Sequence, residues 1–207
     1  MKKLNSSLLI VIEGIDGSGK TSLAKGIKEE LKNQHQIVLT KEPGGTQLGK
    51  MLRKILQEQD VPVCPKAEFL LFAADRAQHF KTLVLPELKL GKIVISDRMG
   101  DSSVCYQGYG RGLDINEIKQ VNKWATSNRK ADLTLFVDID VEEAFKRIYG
   151  REDDITVFEK KELIQKVQFG FKDLYKNRND VVTLDGTAKP EELVKQAVAA
   201  INKLTDK

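Results

Sequence analysis

Two periodicities alternate along the chain. Short, nearly continuous apolar runs rich in β-branched residues recur at Leu8–Ile12, Gln36–Thr40, Lys92–Ser96, Leu133–Val137 and Val181–Leu184. Runs of this length without in/out alternation are expected of strands covered on both faces of a parallel sheet. Between them, helical patterns span Lys20–Asn33, Thr46–Gln57, Ala67–Leu88, Ile115–Thr126, Val141–Ile148, Glu159–Lys176 and Glu191–Leu204, with the spacing of helices that bury one face. Boundary residues agree with several of these limits. Asp114 precedes Ile115 with Glu117 three residues on, Pro190 suits a first helical turn, and Gly91 suits the end of the long third helix. The alternation predicts an α/β fold, an open sheet wrapped by helices that takes its ligands at the carboxyl ends of the strands. No repeat, low-complexity tract or linker interrupts it, so residues 1–207 read as one domain.

Composition narrows the picture only a little. A length of 207 residues suits one sizeable core. The formal net charge of +4 is too small to argue for nucleic acid; it suits anionic small substrates or a plain solvated surface. Cys64 and Cys105 lie far apart without a CxxC pattern, as expected of reduced thiols in a cytoplasmic protein. The apolar run after Lys2 and Lys3 is too short for a secretory signal and leads into a glycine-rich motif. No segment has the apolar length of a membrane span, so a soluble protein is expected.

The strongest chemical signal is Gly14-Ile15-Asp16-Gly17-Ser18-Gly19-Lys20-Thr21, which fits G-x-x-x-x-G-K-[ST] between the first strand and the first helix. Glycines let the backbone curl so that successive N–H groups face phosphate oxygens. The start of the helix adds its positive dipole end. Lys20 is expected to reach the β- and γ-phosphates, and the Thr21 hydroxyl to ligate Mg²⁺. Asp97-Arg98-Met99-Gly100 also fits the D-x-x-G of a nucleotide switch, but the nearest guanine-reading element, Asn122-Lys123-Trp124-Ala125, lacks the acid and lies in a predicted helix.

Further constellations follow the strands. Lys41-Glu42-Pro43-Gly44-Gly45-Thr46 is either a rigid turn presenting charge to a ligand or an ordinary turn into a helix capped by Thr46. Phe72 and Arg76, four apart, share a helical face. Together they could stack and read a base, although an aromatic at this spacing also serves as plain core. Phe69 and Phe80 read as core. Asp97 can hold the hydration shell of Mg²⁺ and Arg98 can fork onto a phosphate monoester, unless the two form a buried structural pair. Charge density rises again over Lys146–Asp154. There a lid could bring Arg147 or Arg151 onto a transferring phosphoryl group, or the charges could simply be solvated.

In order and spacing, IEGIDGSGKTS, KEPGGT, LLFAADR, ISDR, SSVCYQGYGRG and DLTLFVDID resemble the thymidylate kinase family over nearly the whole chain. The resemblance implies the P-loop nucleoside monophosphate kinase fold, a five-stranded parallel sheet flanked by helices with a mobile lid around residues 147–157. It also implies transfer of the γ-phosphoryl group of ATP to dTMP in dTTP synthesis, by a cytoplasmic homodimer. Residues Gly14, Ile15, Asp16, Gly17, Ser18, Gly19, Lys20, Thr21 and Ser22 would hold ATP, with Mg²⁺ on Thr21 and, through water, on Asp97. Asp16 would face the acceptor's sugar and the magnesium shell. Arg98, and more loosely Lys41, would bind the acceptor phosphate. Phe72 would stack on thymine while Arg76, Ser103 and Gln107 read its edge, and Tyr106 would lie against the deoxyribose. The P-loop has no arginine, so the chain resembles the bacterial type whose lid supplies one, here Arg151 and Arg147. Two positions depart from the family pattern: Lys41 where arginine is common, and Met99 where tyrosine is frequent. A kinase acting on UMP, CMP or a purine nucleotide would share all but the base pocket.

Overall fold

The computed structural model describes residues 7–58, 62–149 and 155–205. Five strands form one parallel sheet: β1 Leu9–Glu13, β2 Ile37–Lys41, β3 Ile93–Asp97, β4 Leu133–Asp138 and β5 Val181–Asp185, in the order β2-β3-β1-β4-β5. Each strand ends one residue beyond its apolar run, and that last residue is charged: Glu13, Lys41, Asp97, Asp138 and Asp185. An apolar pattern stops where burial stops, but the ladder continues one step to the edge where ligands bind in such sheets. In register, Ile12 lies beside Asp97, Lys41 beside Asp97, and Glu13 beside Phe136.

Both faces of the three central strands β3, β1 and β4 are covered, which is why those strands are mostly apolar, while the edge strands β2 and β5 are only partly buried. On one face Ile10 and Ile12 pack with Leu23, Ile27 and Leu31 of α1 (Lys20–Leu31) and with Ala197 and Ile201 of α9 (Pro190–Thr205). On the other, Leu9 and Val11 meet Phe80 and Val84. Phe136 meets Val167 and Phe171 of α8 (Ile155–Tyr175). The remaining helices are α2 (Gln47–Glu58), α3 (Pro65–His79), α4 (Leu85–Lys89), α5 (Gly100–Ser103), α6 (Ile115–Ala125) and α7 (Val141–Tyr149). Asp114 caps α6, accepting from the N–H groups of Asn116 and Glu117 at 2.7 and 3.1 Å. Among the described residues no helix is long and apolar enough to cross a membrane.

The helix expected as one piece over Ala67–Leu88 differs from expectation. It runs as α3, a π-helical turn over Phe80–Val84, and α4. Pro86 explains the break, since it has no N–H to donate and its ring crowds the preceding turn. Thr82 contributes by donating its hydroxyl to the Gln78 carbonyl at 2.8 Å, a bond that bends helices. Gly91, at φ 76, ends α4 as expected. The segment after β3 carries no helical pattern in the sequence. It forms α5 and a second π-helical run, Val104–Gly110.

Candidate active site

The loop between β1 and α1 takes its shape from three glycines at positive φ: Gly14, Gly17 and Gly19, at 148°, 78° and 94°. A Cβ at Gly14 would come within 2.6 Å of the Val137 carbonyl oxygen, and one at Gly17 within 2.6 Å of that of Ala144. Neither position therefore tolerates a side chain. Lys20, buried at the start of α1, curls back over the loop and donates to the Ile15 carbonyl at 2.7 Å and the Ser18 hydroxyl at 3.4 Å. Burial, with Arg98 adding to it, lowers the Lys20 ammonium to about 7 against the opposing pull of Asp16, Asp97 and Glu13. An ammonium held so poorly solvated gains strongly from an anion placed in the cradle. Thr21 follows, its hydroxyl donating to Asp97 Oδ2 at 2.5 Å.

Thr21 and Asp97 thus bring two hard oxygen donors together beside the cradle. That donor set fits Mg²⁺, which takes one or two protein oxygens and completes its octahedron with water and phosphate. Among the described residues no group of three or more His, Cys, Asp or Glu side chains forms a metal cage. A cation here would depend on the ligand's own phosphates.

Beside the loop lies a cavity of about 390 Å³ whose lining includes Asp16, Phe72, Arg76, Arg98, Ser103, Tyr106 and Gln107. Seven residues expected on the acceptor side therefore converge from the P-loop, α3 and the segment after β3. Phe72 is half-buried on the cavity wall and belongs to none of the apolar core clusters. Phe69, three residues earlier, is core, as is Phe80. Lys41 does not line this cavity. It borders two neighbouring grooves, one of them shared with Thr21 and Asp97.

Arg98 links cradle and cavity. It donates to Asp16 Oδ1 at 2.8 Å, to the Tyr106 hydroxyl at 3.1 Å and to the Ser102 hydroxyl at 3.0 Å, and its guanidinium sits 5.0 Å from the centre of the Tyr106 ring. Tyr106 in turn donates to Asp16 Oδ2 at 3.0 Å. Burial pushes the Asp16 carboxyl up, but Arg98, Lys20 and the Tyr106 hydroxyl outweigh it and hold Asp16 below the ordinary range. Burial also opposes the charge on Arg98, yet Tyr106, Asp16 and Glu13 keep it firmly protonated. The result is a fixed cation one side chain away from the glycine loop.

Arg76 is almost fully buried and spends four of its five donors on protein: Glu42 at 2.8 Å, Asn122 at 2.6 Å, Ser103 at 3.0 Å and the Met99 carbonyl at 3.3 Å. Glu42 also pairs with His79 Nδ1 at 2.9 Å, and His79 Nε2 meets the Thr40 hydroxyl at 2.7 Å. Gln107 donates to Glu68 at 2.8 Å. A planar polar ring entering beside Phe72 would meet a wall of amide, hydroxyl and guanidinium groups in fixed orientations.

Sequence reasoning missed several participants. Arg53, on α2, lines the cavity and donates to the Pro43 carbonyl at 3.0 Å. Glu13, Asn122 and His79 are buried polar residues, and their polarity inside apolar patterns was the available signal. Arg147 is exposed near the end of α7 and donates to Glu143 at 3.3 Å. Arg151 lies outside the described residues.

The family model described as Thymidylate kinase matches residues 12–198. A thymidylate kinase of Trichodesmium erythraeum is 40% identical over 210 residues, covering 93% of each chain. One from Carboxydothermus hydrogenoformans is 43% identical over 186 residues, covering 89% of this chain and 91% of its own. The crystal structure of thymidylate kinase from Ehrlichia chaffeensis superposes with a TM-score of 0.76 at 31% identity, covering 95% of this chain and 99% of that one.

Proposed function

This chain belongs to the thymidylate kinase family, and we propose that the glycine loop and the Phe72 cavity are the donor and acceptor sites of its reaction. The chain is a nucleoside monophosphate kinase that transfers the γ-phosphoryl group of ATP to dTMP, giving dTDP and ADP. The observation that carries the site assignment is Arg98, bonded to Asp16 of the loop and to Tyr106 of the cavity.

The acceptor phosphate is ionised at neutral pH, so the enzyme needs alignment and cations rather than a general base. The N–H groups from Gly14 to Ser22 hold the ATP phosphates, and Lys20 leaves the Ile15 carbonyl to take the β- and γ-oxygens. Mg²⁺, on Thr21 and through water on Asp97, would neutralise charge on the transferring group. Arg98 grips the acceptor phosphate, with Arg53 at the same cavity and Lys41 adding charge from the neighbouring groove. Asp16 meets the sugar and Tyr106 lies against it, where a 2′-hydroxyl would crowd the ring. Phe72 stacks on the base while Arg76, Ser103 and Gln107 read its edge. Arg147 and Arg151 of a lid around residues 147–157 complete the positive surround and exclude water.

Two further readings belong with this one. The substrates and the unpaired thiols of Cys64 and Cys105 suit a cytoplasmic enzyme. Leu48, Met51, Ile55 and Leu70 expose apolar surface on the packed pair α2 and α3, which suits a homodimer through that face. Sedimentation should give about twice the 23.3 kDa chain mass; a monomer at micromolar concentration would rule the dimer out.

Phe72→Ala tests the acceptor site. Loss of a stacked aromatic should cost about 1–3 kcal/mol of dTMP binding, seen as a raised KM for dTMP with the KM for ATP unchanged. Equal effects on both substrates would refute the stacking role.

A further inference from the structure

Glu13 closes β1 with no exposed surface, and neither the phosphate cradle nor the cavity wall uses it. Both of its oxygens serve the turn after β3. Oε1 accepts from the N–H groups of Met99 and Ser102 at 2.8 and 3.3 Å, and Oε2 accepts from the Ser102 hydroxyl at 2.5 Å. Those N–H groups lie at the start of α5, where helical donors have no partner within the helix. The residue at the cap position, Met99, provides no side-chain cap, so a carboxyl group from another strand takes that role.

The consequence reaches Arg98. Its backbone sits at φ 71, a conformation costing a non-glycine residue on the order of 1 kcal/mol or more that the surroundings must impose. It is pinned before and after: its N–H donates to the Ile12 carbonyl at 2.9 Å, its carbonyl accepts from the Ser96 hydroxyl at 2.7 Å, and the next N–H is held by Glu13. The Ser102 hydroxyl that donates to Glu13 also accepts from Arg98 Nη1 at 3.0 Å. A continuous chain of bonds therefore runs from Glu13 through Ser102 to Arg98 and on to Asp16.

We propose that Glu13 is a positioning residue for the acceptor phosphate. By gripping Met99, Ser102 and the Ser102 hydroxyl, it aims the Arg98 guanidinium. It also anchors the start of the segment that carries Ser103, Tyr106 and Gln107 along the cavity. Because β1 runs directly into Gly14, the same residue sets the acceptor grip in register with the donor cradle. The inference rests on the reading of Arg98 as the acceptor-phosphate ligand.

Steady-state kinetics of Glu13→Ala, Glu13→Gln, Ser102→Ala and Arg98→Ala test it, with folding checked by circular dichroism. Glu13→Ala should raise the KM for dTMP about 10- to 100-fold, the scale of effect expected from misplacing a catalytic cation by about 1 Å, while the KM for ATP stays unchanged. Glu13→Gln keeps an oxygen for the two N–H groups and an amide to donate to the Ser102 hydroxyl, so it should recover most of that loss. A merely structural role would weaken both substrates together and would follow thermal stability instead. If Glu13→Ala does not fold, Ser102→Ala removes the hydroxyl between Glu13 and Arg98 and should raise the KM for dTMP several-fold on its own. An unchanged dTMP KM in the folded Glu13→Ala protein, or in Ser102→Ala where Glu13→Ala fails to fold, would overturn the inference, as would equal effects on dTMP and ATP. Arg98→Ala separates the two levels: a raised dTMP KM there without one in Glu13→Ala defeats only the role of Glu13, whereas an unchanged KM defeats the reading of Arg98 and the inference with it.

Discussion

At Glu13 a carboxyl with no exposed surface accepts three hydrogen bonds and still titrates far from its ordinary value. Burial, and after it the nearby Asp101, push it up from 4.5 to about 7, against Arg98 and the bonds from Ser102 and Met99. Asp101 is itself engaged with Arg178 at 2.7 Å and Tyr175 at 3.2 Å, and Glu13 in turn acts on Lys20. The folded chain therefore holds a proton on Glu13 that the unfolded chain has released between about pH 4.5 and 7. Through linkage, stability contributed by that proton is full below pH 4.5 and is lost as pH rises to about 7. The loss is on the order of 3 kcal/mol, at about 1.36 kcal/mol per pKa unit. Urea unfolding at pH 5 and pH 8 should give wild type a larger fall in stability than Glu13→Gln. Identical falls would contradict the shift. The residues around it were only partly readable in advance. Lys20, Asp16 and Arg98 were found through motifs, whereas Glu13 sits at the end of an apolar run and looks like the strand's edge. The network on Arg76 was hidden for a different reason: Glu42 and Asn122 are 34 and 46 residues away in sequence, and no local periodicity records such a partnership.

Among the elements, five apolar runs were enough to read five strands, because burial on both faces leaves a strong compositional mark. The break at Pro86 was missed because the apolar spacing of Ala67–Leu88 continues across a π-helical turn that changes the phase of the helix without changing its composition. The run from Gly100 to Gly110 was missed because three glycines and several polar residues hide its helical character. Those glycines have a packing purpose. A Cβ on Gly110 would approach Leu163 Cδ1 to 2.8 Å, and across the same contact a Cβ on Gly170 of α8 would come within 2.7 Å of the Tyr109 ring and 2.9 Å of its Cβ. The two elements pack closely because both lack side chains there. Gly170→Ala should therefore cost about 1–3 kcal/mol, the usual penalty of overpacking. A thermal midpoint at or above that of wild type would show that Tyr109 moves aside freely.

For the whole molecule, the sheet order sets the chemistry. β1 and β3 are neighbours, so the glycine loop after β1 and the arginine after β3 emerge side by side at the carboxyl edge. β2 on one flank supplies Lys41 and Glu42, and the helices beyond close the cavity around Phe72. On the proposed assignment, the acceptor would be selected by a preformed wall and transfer accelerated by fixed cations, so the identity of the base should matter more than any group that titrates on the substrate. The most direct measurement is acceptor-dependent ADP formation with ATP and Mg²⁺, comparing dTMP, dUMP, UMP, CMP, AMP and GMP under identical conditions. A kcat/KM for dTMP well above those of the ribonucleotides and purines is the predicted result. A flat profile, or a preference for another base, would contradict the thymine cavity, and ADP formation independent of any acceptor would contradict phosphoryl transfer to a nucleotide altogether.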